Sequence, residues 1–190
     1  MMNEKIELWF PTPIYYVDNL LGNDYSKYSE LFLNEKYDTH RDDFMNVDSS
    51  YQLDISKSIH HIEKFKYVFD TIEKHTYNFA KHYGYKRKLK LDTSWINNSK
   101  EGDYLHPHVH GNSLISGAYY IKGSKKDEIR FFKNITDMKS LPDEDNDLNH
   151  RSAKYSCLSD RLVLFFSDTL HMTPRQKGNE KITLSFNYKY

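Results

Sequence analysis

The chain of 190 residues lacks several features that would narrow its class at once. Its one cysteine, Cys157, excludes an internal disulfide framework and fits a reducing compartment. Neither charge is in excess, since Lys+Arg 27 balances Asp+Glu 27. Nothing global then attracts nucleic acid or an acidic membrane surface, although a local basic patch is compatible with the count. No apolar run approaches ~18 residues, so no segment reads as a membrane-spanning helix. Residues 1–10 are acidic and amphipathic, without the basic start and long apolar centre of a signal peptide. An internal repeat is absent too. These absences point to a cytoplasmic chain with one domain over residues 1–190, long enough to bury a core.

What the chain has is aromatic residues and a shift of pattern. Tyr 16 and Phe 11 favour strands and recognition surfaces. Ile6 to Val17 reads as a strand whose prolines, Pro11 and Pro13, confine it to a sheet edge or an extended arm. Ser26 to Glu35 is a short helix. Ile59, Ile62, Phe65, Phe69, Ile72 and Phe79 recur at helical spacing and predict one amphipathic helix over 57–82, stopped by Gly84. Strand patterns follow at Lys88 to Ile96, Asp103 to His110, Leu114 to Lys122, Glu128 to Phe132, Arg161 to Ser167 and Lys181 to Tyr188. The expectation is a mainly β (α+β) fold, a sandwich or barrel, with an arm and helices over 1–84 and the strand core over 85–190. The polar stretch from Lys133 to Arg151 reads as a solvated loop or a lid over a site. Its Asp143, Asp145 and Asp147 do not make a calcium loop, because Leu148 and Lys154 stand where Gly and Glu are needed.

The chemistry-bearing feature is His106-Pro107-His108-Val109-His110, read with His171. On a strand, side chains at i and i+2 share a face. An H-x-H pair thus presents two imidazoles to one point, and a third from a distant strand can complete a metal site. Neutral imidazole suits Fe, Zn, Cu and Ni, and three ligands on one face of an octahedron leave positions open. A closed structural zinc site would need a fourth ligand, and Cys157 is the one cysteine on offer. His60-His61 reads as helix surface or boundary.

Trp95-Ile96-Asn97, Gly102-Asp103, His108-Val109-His110, Ser116-Gly117-Ala118-Tyr119-Tyr120, Phe166-Ser167-Asp168-Thr169-Leu170-His171-Met172-Thr173-Pro174 and Lys181-Ile182-Thr183-Leu184-Ser185-Phe186-Asn187 stand in this order. With the opening Leu8-Trp9-Phe10-Pro11, this ordered set resembles a prolyl-hydroxylase-like family of 2-oxoglutarate- and Fe(II)-dependent oxygenases, from Phe10 to Asn187. The resemblance implies a double-stranded β-helix, or jelly roll, with N-terminal helices packed outside. It selects His108, His110 and His171 as the ligands of Fe(II) and leaves His106 as an extra residue, either a group that supports a ligand or meets the substrate, or an ordinary histidine at the rim. Where most such oxygenases carry a carboxylate, this chain has His110; Asp103 could replace it only if the strand is irregular, because its parity is wrong.

The same resemblance implies a cation for the distal carboxylate of 2-oxoglutarate. Lys181 takes that place, ten residues past His171, with Thr183 on the same strand face as a hydroxyl partner. Arg175 competes as the anchor. Tyr120 stands where related hydroxylases supply a phenol, and Tyr119 should face the other way. The implied function is oxidation, through hydroxylation, of a C–H bond in an unidentified small-molecule, peptide or protein substrate, with release of succinate and CO2. A three-His dioxygenase without 2-oxoglutarate and a non-catalytic jelly-roll binding protein are the alternatives. Nothing indicates a nucleic-acid or membrane partner, and a homodimer is left open.

Overall fold

The computed structural model describes residues 11–41, 45–133, 144 and 149–190. In chain order its strands and α-helices are β1 (Ile14–Val17), α1 (Tyr25–Leu33), β2 (Met45–Asn46), β3 (Asp48–Ser49), α2 (Lys66–His82), β4 (Lys90–Lys100), β5 (Tyr104–His108), β6 (Ile115–Lys122), β7 (Ser124–Phe132), β8 (Ser152–Cys157), β9 (Arg161–Phe166), β10 (His171–Thr173) and β11 (Glu180–Lys189). They form two antiparallel sheets, one ordered β1-β9-β6-β11-β4-β3 and the other β2-β5-β10-β7-β8. This is a double-stranded β-helix with α1 and α2 on its outside. Three strands from before residue 85 extend the sheets, and β1, the segment after Pro13, pairs with β9 as an edge.

Strand parity explains the layers. On β11, Ile182, Leu184, Phe186 and Tyr188 pack in one cluster with Phe32, Phe65, Val68, Ile72 and Phe79 from the helical side. The alternate residues Lys181, Thr183, Ser185 and Asn187 line an interior cavity. Tyr119 obeys the same rule: it joins the helix-side cluster and donates its hydroxyl to Asp160, at 2.9 Å. Tyr120 packs inward with Ile129, Phe131, Val163 and Phe165, which belong to both sheets. Each fully buried Leu, Ile or Phe contributes about 1.5–3 kcal/mol, so the large helix-side cluster is the main source of stability.

The expected helix over 57–82 is α-helical only from Lys66. Short 3-10 turns occupy Ile55–Lys57, Ile59–His61 and Glu63–Phe65. Ser58 and Ile62 have extended backbone, and the His60 amide and ring both bond the Ser94 hydroxyl, at 2.9 Å. Bonding to β4 thus replaces the first turns of the helix. Strands β8 and β10 were not anticipated, β4 runs on to Lys100, and β5 stops at His108. The start of the predicted first strand and most of the 133–151 segment lie outside the described residues.

Candidate metal centre

His108 and His171 meet because β5 and β10 pair them directly across the ladder. Opposite residues of an antiparallel pair put their side chains on one face. The register then slips: Thr173 pairs with Leu105, so three steps on β5 face two on β10. This bulge surrounds Pro107, which has no N–H for the ladder. It turns Leu105 and His108 into the cavity and leaves His106 exposed, with its ring edge-on to Tyr104 at 5.0 Å. His110 lies beyond the strand. Its amide donates to the Ser167 carbonyl, at 2.8 Å. The Ser167 hydroxyl bonds that of Ser116, which bonds Asn187, each at 2.8 Å, so buried polar contacts hold this loop in place.

The three imidazoles bring one ring nitrogen each within 4.8 Å of the others. Their tautomers follow from the main chain. His108 Nδ1 lies 2.7 Å from the His106 carbonyl and His171 Nδ1 lies 2.9 Å from that of Thr169. A carbonyl only accepts, so both Nδ1 atoms carry the proton and both Nε2 atoms keep a lone pair. His110 Nε2 is 3.2 Å from His171 Nε2. Two nitrogens at that separation, each bonded at about 2.1 Å to one ion, subtend about 100°, close to neighbouring octahedral positions. Burial keeps all three rings neutral, as ligands must be. It pushes His110 down to about 4 and His171 to about 3, helped by their imidazole neighbours, and lowers His108 as well.

These rings open on a cavity of about 720 Å³. Its sheet wall is built in rows set by register. Trp95, Ser185 and Ala118 form one row, and Asn97, Thr183 and Tyr120 the next. Ser99 and Lys181 are paired one row further. The metal end is the first of these, since the Trp95 ring is 5.9 Å from that of His110. Phe165 closes the floor against His171, with ring centroids 4.5 Å apart. Lys181 is 4% exposed and has no side-chain hydrogen bond or ion pair among the described residues. Its neighbours include the buried Cys157 thiol, whose ionisation burial opposes; that thiol in turn meets the Tyr120 phenol, which burial holds protonated. Apart from that weakly bonding thiol, the Tyr120 hydroxyl has no partner among the described residues.

Thus Lys181, Thr183 and Tyr120 share the cavity with the three imidazoles. Arg175 does not join them: it is exposed, donates to the Gly102 carbonyl at 3.2 Å and lies 4.7 Å over the Tyr104 ring. Asp103 is tied up by a bidentate pair with Arg41, at 2.9 and 3.0 Å, which holds its carboxyl below the usual range against the opposing pull of burial. Sequence reasoning missed Asn97, Ser99 and Ser185 as lining residues. Their signal was present in the alternation of polar residues along β4 and β11.

A family model described as "Putative 2OG-Fe(II) oxygenase" matches residues 93–187, half of the chain. The chain belongs to this 2OG-Fe(II) oxygenase family. Its cofactors are Fe(II) and 2-oxoglutarate, and the imidazole cluster has the donor type and spacing for the metal. Among curated proteins no sequence matches this chain. Among solved structures, it resembles a prolyl hydroxylase of Trichoplax adhaerens in complex with a hypoxia inducible factor peptide fragment, at 13% identity and TM-score 0.63, covering 92% of this chain and 83% of that one. HygX of Streptomyces hygroscopicus with nickel and 2-oxoglutarate bound is 13% identical, with TM-score 0.62 over 94% of this chain and 83% of that one. A Pseudomonas putida prolyl-4-hydroxylase is 12% identical, with TM-score 0.59 over 94% and 92%. At these identities the likeness establishes the fold.

Proposed function

We propose that the chain is an Fe(II)- and 2-oxoglutarate-dependent hydroxylase in which His108, His110 and His171 hold iron. Lys181, Thr183 and Tyr120 take the distal carboxylate of 2-oxoglutarate. The observation that carries this reading is the buried Lys181 side chain, which lines the same cavity as the three imidazoles and has no carboxylate partner among the described residues. A buried ammonium without a counter-charge is costly, and a dicarboxylate chelating the metal would supply one.

Bound iron, with 2-oxoglutarate and O2, supplies oxidation of a C–H bond: one oxygen atom becomes the product hydroxyl and the other enters succinate as CO2 leaves. The chain's own residues prepare this. The main-chain carbonyls of His106 and Thr169 fix the ring orientations of His108 and His171. Three neutral ligands leave the metal's double charge uncompensated, which favours the dianionic cosubstrate. Thr183 and Tyr120 are cross-strand partners, so a hydroxyl and a phenol can approach one carboxylate beside Lys181. Trp95, Phe165 and Phe131 surround His110 and His171 with rings that keep bulk water from the reacting atoms.

The test is anaerobic titration of the purified chain with Fe(II) and then 2-oxoglutarate. A weak visible charge-transfer band and later succinate formation in air are expected. Iron binding without that band, or turnover independent of 2-oxoglutarate, would remove the keto acid from the reading.

A further inference from the structure

Leu53 is 90% exposed and Val109 50%, yet both line the metal cavity. Neither stands there through slack in the chain. Just before Leu53, two bonds at 2.9 Å pin the backbone to β4: the Ser50 N–H donates to the Ile96 carbonyl, and the Ile96 N–H donates to the Ser50 hydroxyl. Just after it, the Asp54 carboxylate accepts from the Ser56 N–H at 3.0 Å and caps a short 3-10 turn. Val109 lies between two imidazoles of the metal centre, where the Ser167 carbonyl holds the next amide, that of His110. The chain thus fixes two apolar side chains in water, one after β3 of the first sheet and one after β5 of the second. We propose that the substrate presents an uncharged apolar group, which enters along Tyr51 and Trp95 and is gripped at the mouth by Leu53 and Val109. This rests on the oxygenase reading above and names the class of substrate for that same site.

An apolar path runs from the mouth to the metal end. Leu53 and Tyr51 belong to one segment, Tyr51 packs edge-on against Trp95 with ring centroids 5.1 Å apart, and the Trp95 ring is 5.9 Å from that of His110. Leu105, from the other sheet, lines the same cavity. Exposed apolar surface continuous with a lined cavity marks a surface that a ligand covers. Charge points the same way. Among the described lining residues there is no carboxylate, and Lys181 is the one with a permanent charge. A cationic substrate group would be buried without a counter-charge, and an anionic one would compete with 2-oxoglutarate for that lysine.

The test uses the full chain with Fe(II), 2-oxoglutarate and O2, reading compound-dependent succinate formation. The probes are the N-acetyl amides of alanine, norvaline, norleucine and phenylalanine, with those of lysine and glutamate as charged counterparts. The uncharged members should stimulate turnover, and each added methylene should raise kcat/KM about threefold. The charged pair should be at least tenfold poorer. Binding of the best probe is then measured by calorimetry without O2, so that no turnover intervenes. Leu53→Ser should raise its Kd at least fivefold while the 2-oxoglutarate Kd, read from the charge-transfer band, stays within twofold. Leu53→Met keeps the apolar surface and should bind the probe within twofold of wild type. Because Leu53 is exposed, neither change threatens folding. Placing the best residue within an uncharged pentapeptide separates the sources: tighter binding marks a polypeptide, equal binding a small molecule, and either supports the class. Equal stimulation by the lysine or glutamate amide, an unchanged probe Kd in Leu53→Ser, or no stimulation by any probe overturns the proposal. A wild-type chain without the charge-transfer band would instead sink the oxygenase reading.

Discussion

A lysine side chain enclosed by strands is stable when an anion meets it, which makes Lys181 the most sensitive probe of the proposed cosubstrate site. A charge-assisted bond of this kind contributes roughly 1.5–3 kcal/mol, so Lys181→Ala should weaken 2-oxoglutarate binding ~10- to 150-fold and Fe(II) binding far less. Lys181→Arg keeps the charge and should retain part of the affinity. Arg175→Ala should cost less, because that guanidinium is spent on the Gly102 carbonyl and the Tyr104 face. Titration of the charge-transfer band measures all three, and a larger loss for Arg175→Ala would move the anchor there. His171→Ala should abolish stoichiometric Fe(II) binding while circular dichroism shows the sheets intact. Metal analysis of a folded variant that still holds one iron per chain would refute the ligand assignment.

Elements decide which of these residues meet. The H-x-H spacing and the family resemblance made the meeting of His108, His110 and His171 legible, since each motif stands close to its imidazole. The bulge around Pro107 was not legible: it arises because three steps along β5 face two along β10, a mismatch that exists only once distant segments align. For the same reason simple parity put His106 on the face of His108, whereas the slip turns it outward. Strand β10 has three residues, too few to show a period, and β8 opens on the exposed Ser152, Ala153 and Lys154. The alternation on β4 and β11 was readable as strand, but not which face held the cavity. Close packing between strands and helices gives a further prediction. A Cβ added at Gly117 would lie 2.4 Å from the Phe186 ring and 2.7 Å from Leu164, both fully buried. Gly117→Ala should cost about 1–3 kcal/mol through overpacking, read as a lower urea midpoint with an unchanged slope. An unchanged midpoint would mean that β6 can shift outward freely.

At the scale of the whole molecule, buried imidazoles set the response to acid. Burial holds His60 down to about 4, below the 6.5 of an unfolded chain, and lowers His75 too. Between those values the unfolded chain binds more protons, so stability is complete above pH 6.5 and falls as pH drops towards 4. The buried metal-centre rings contribute with the same sign in the metal-free chain. Urea midpoints measured from pH 7.5 to 4.5 should fall over this range, and less steeply in His60→Gln; a flat profile would contradict it. The metal acts in the other direction, because only the closed fold unites His108 and His171. Fe(II) in 100-fold excess over its Kd should add about 2.7 kcal/mol of stability, visible as a raised Tm under anaerobic conditions. The alternation along β11 carries a consequence for descent. Ile182, Leu184 and Phe186 hold the fold while Lys181, Thr183 and Ser185 face the cavity, so substitutions at odd positions can reshape that cavity and leave the foundation untouched. A single inserted or deleted codon grants no such freedom: it would exchange the two sets, driving an ammonium among the helices and leucine or phenylalanine towards the three imidazoles. Lineages carrying this strand can therefore drift by replacement, but not by change of length.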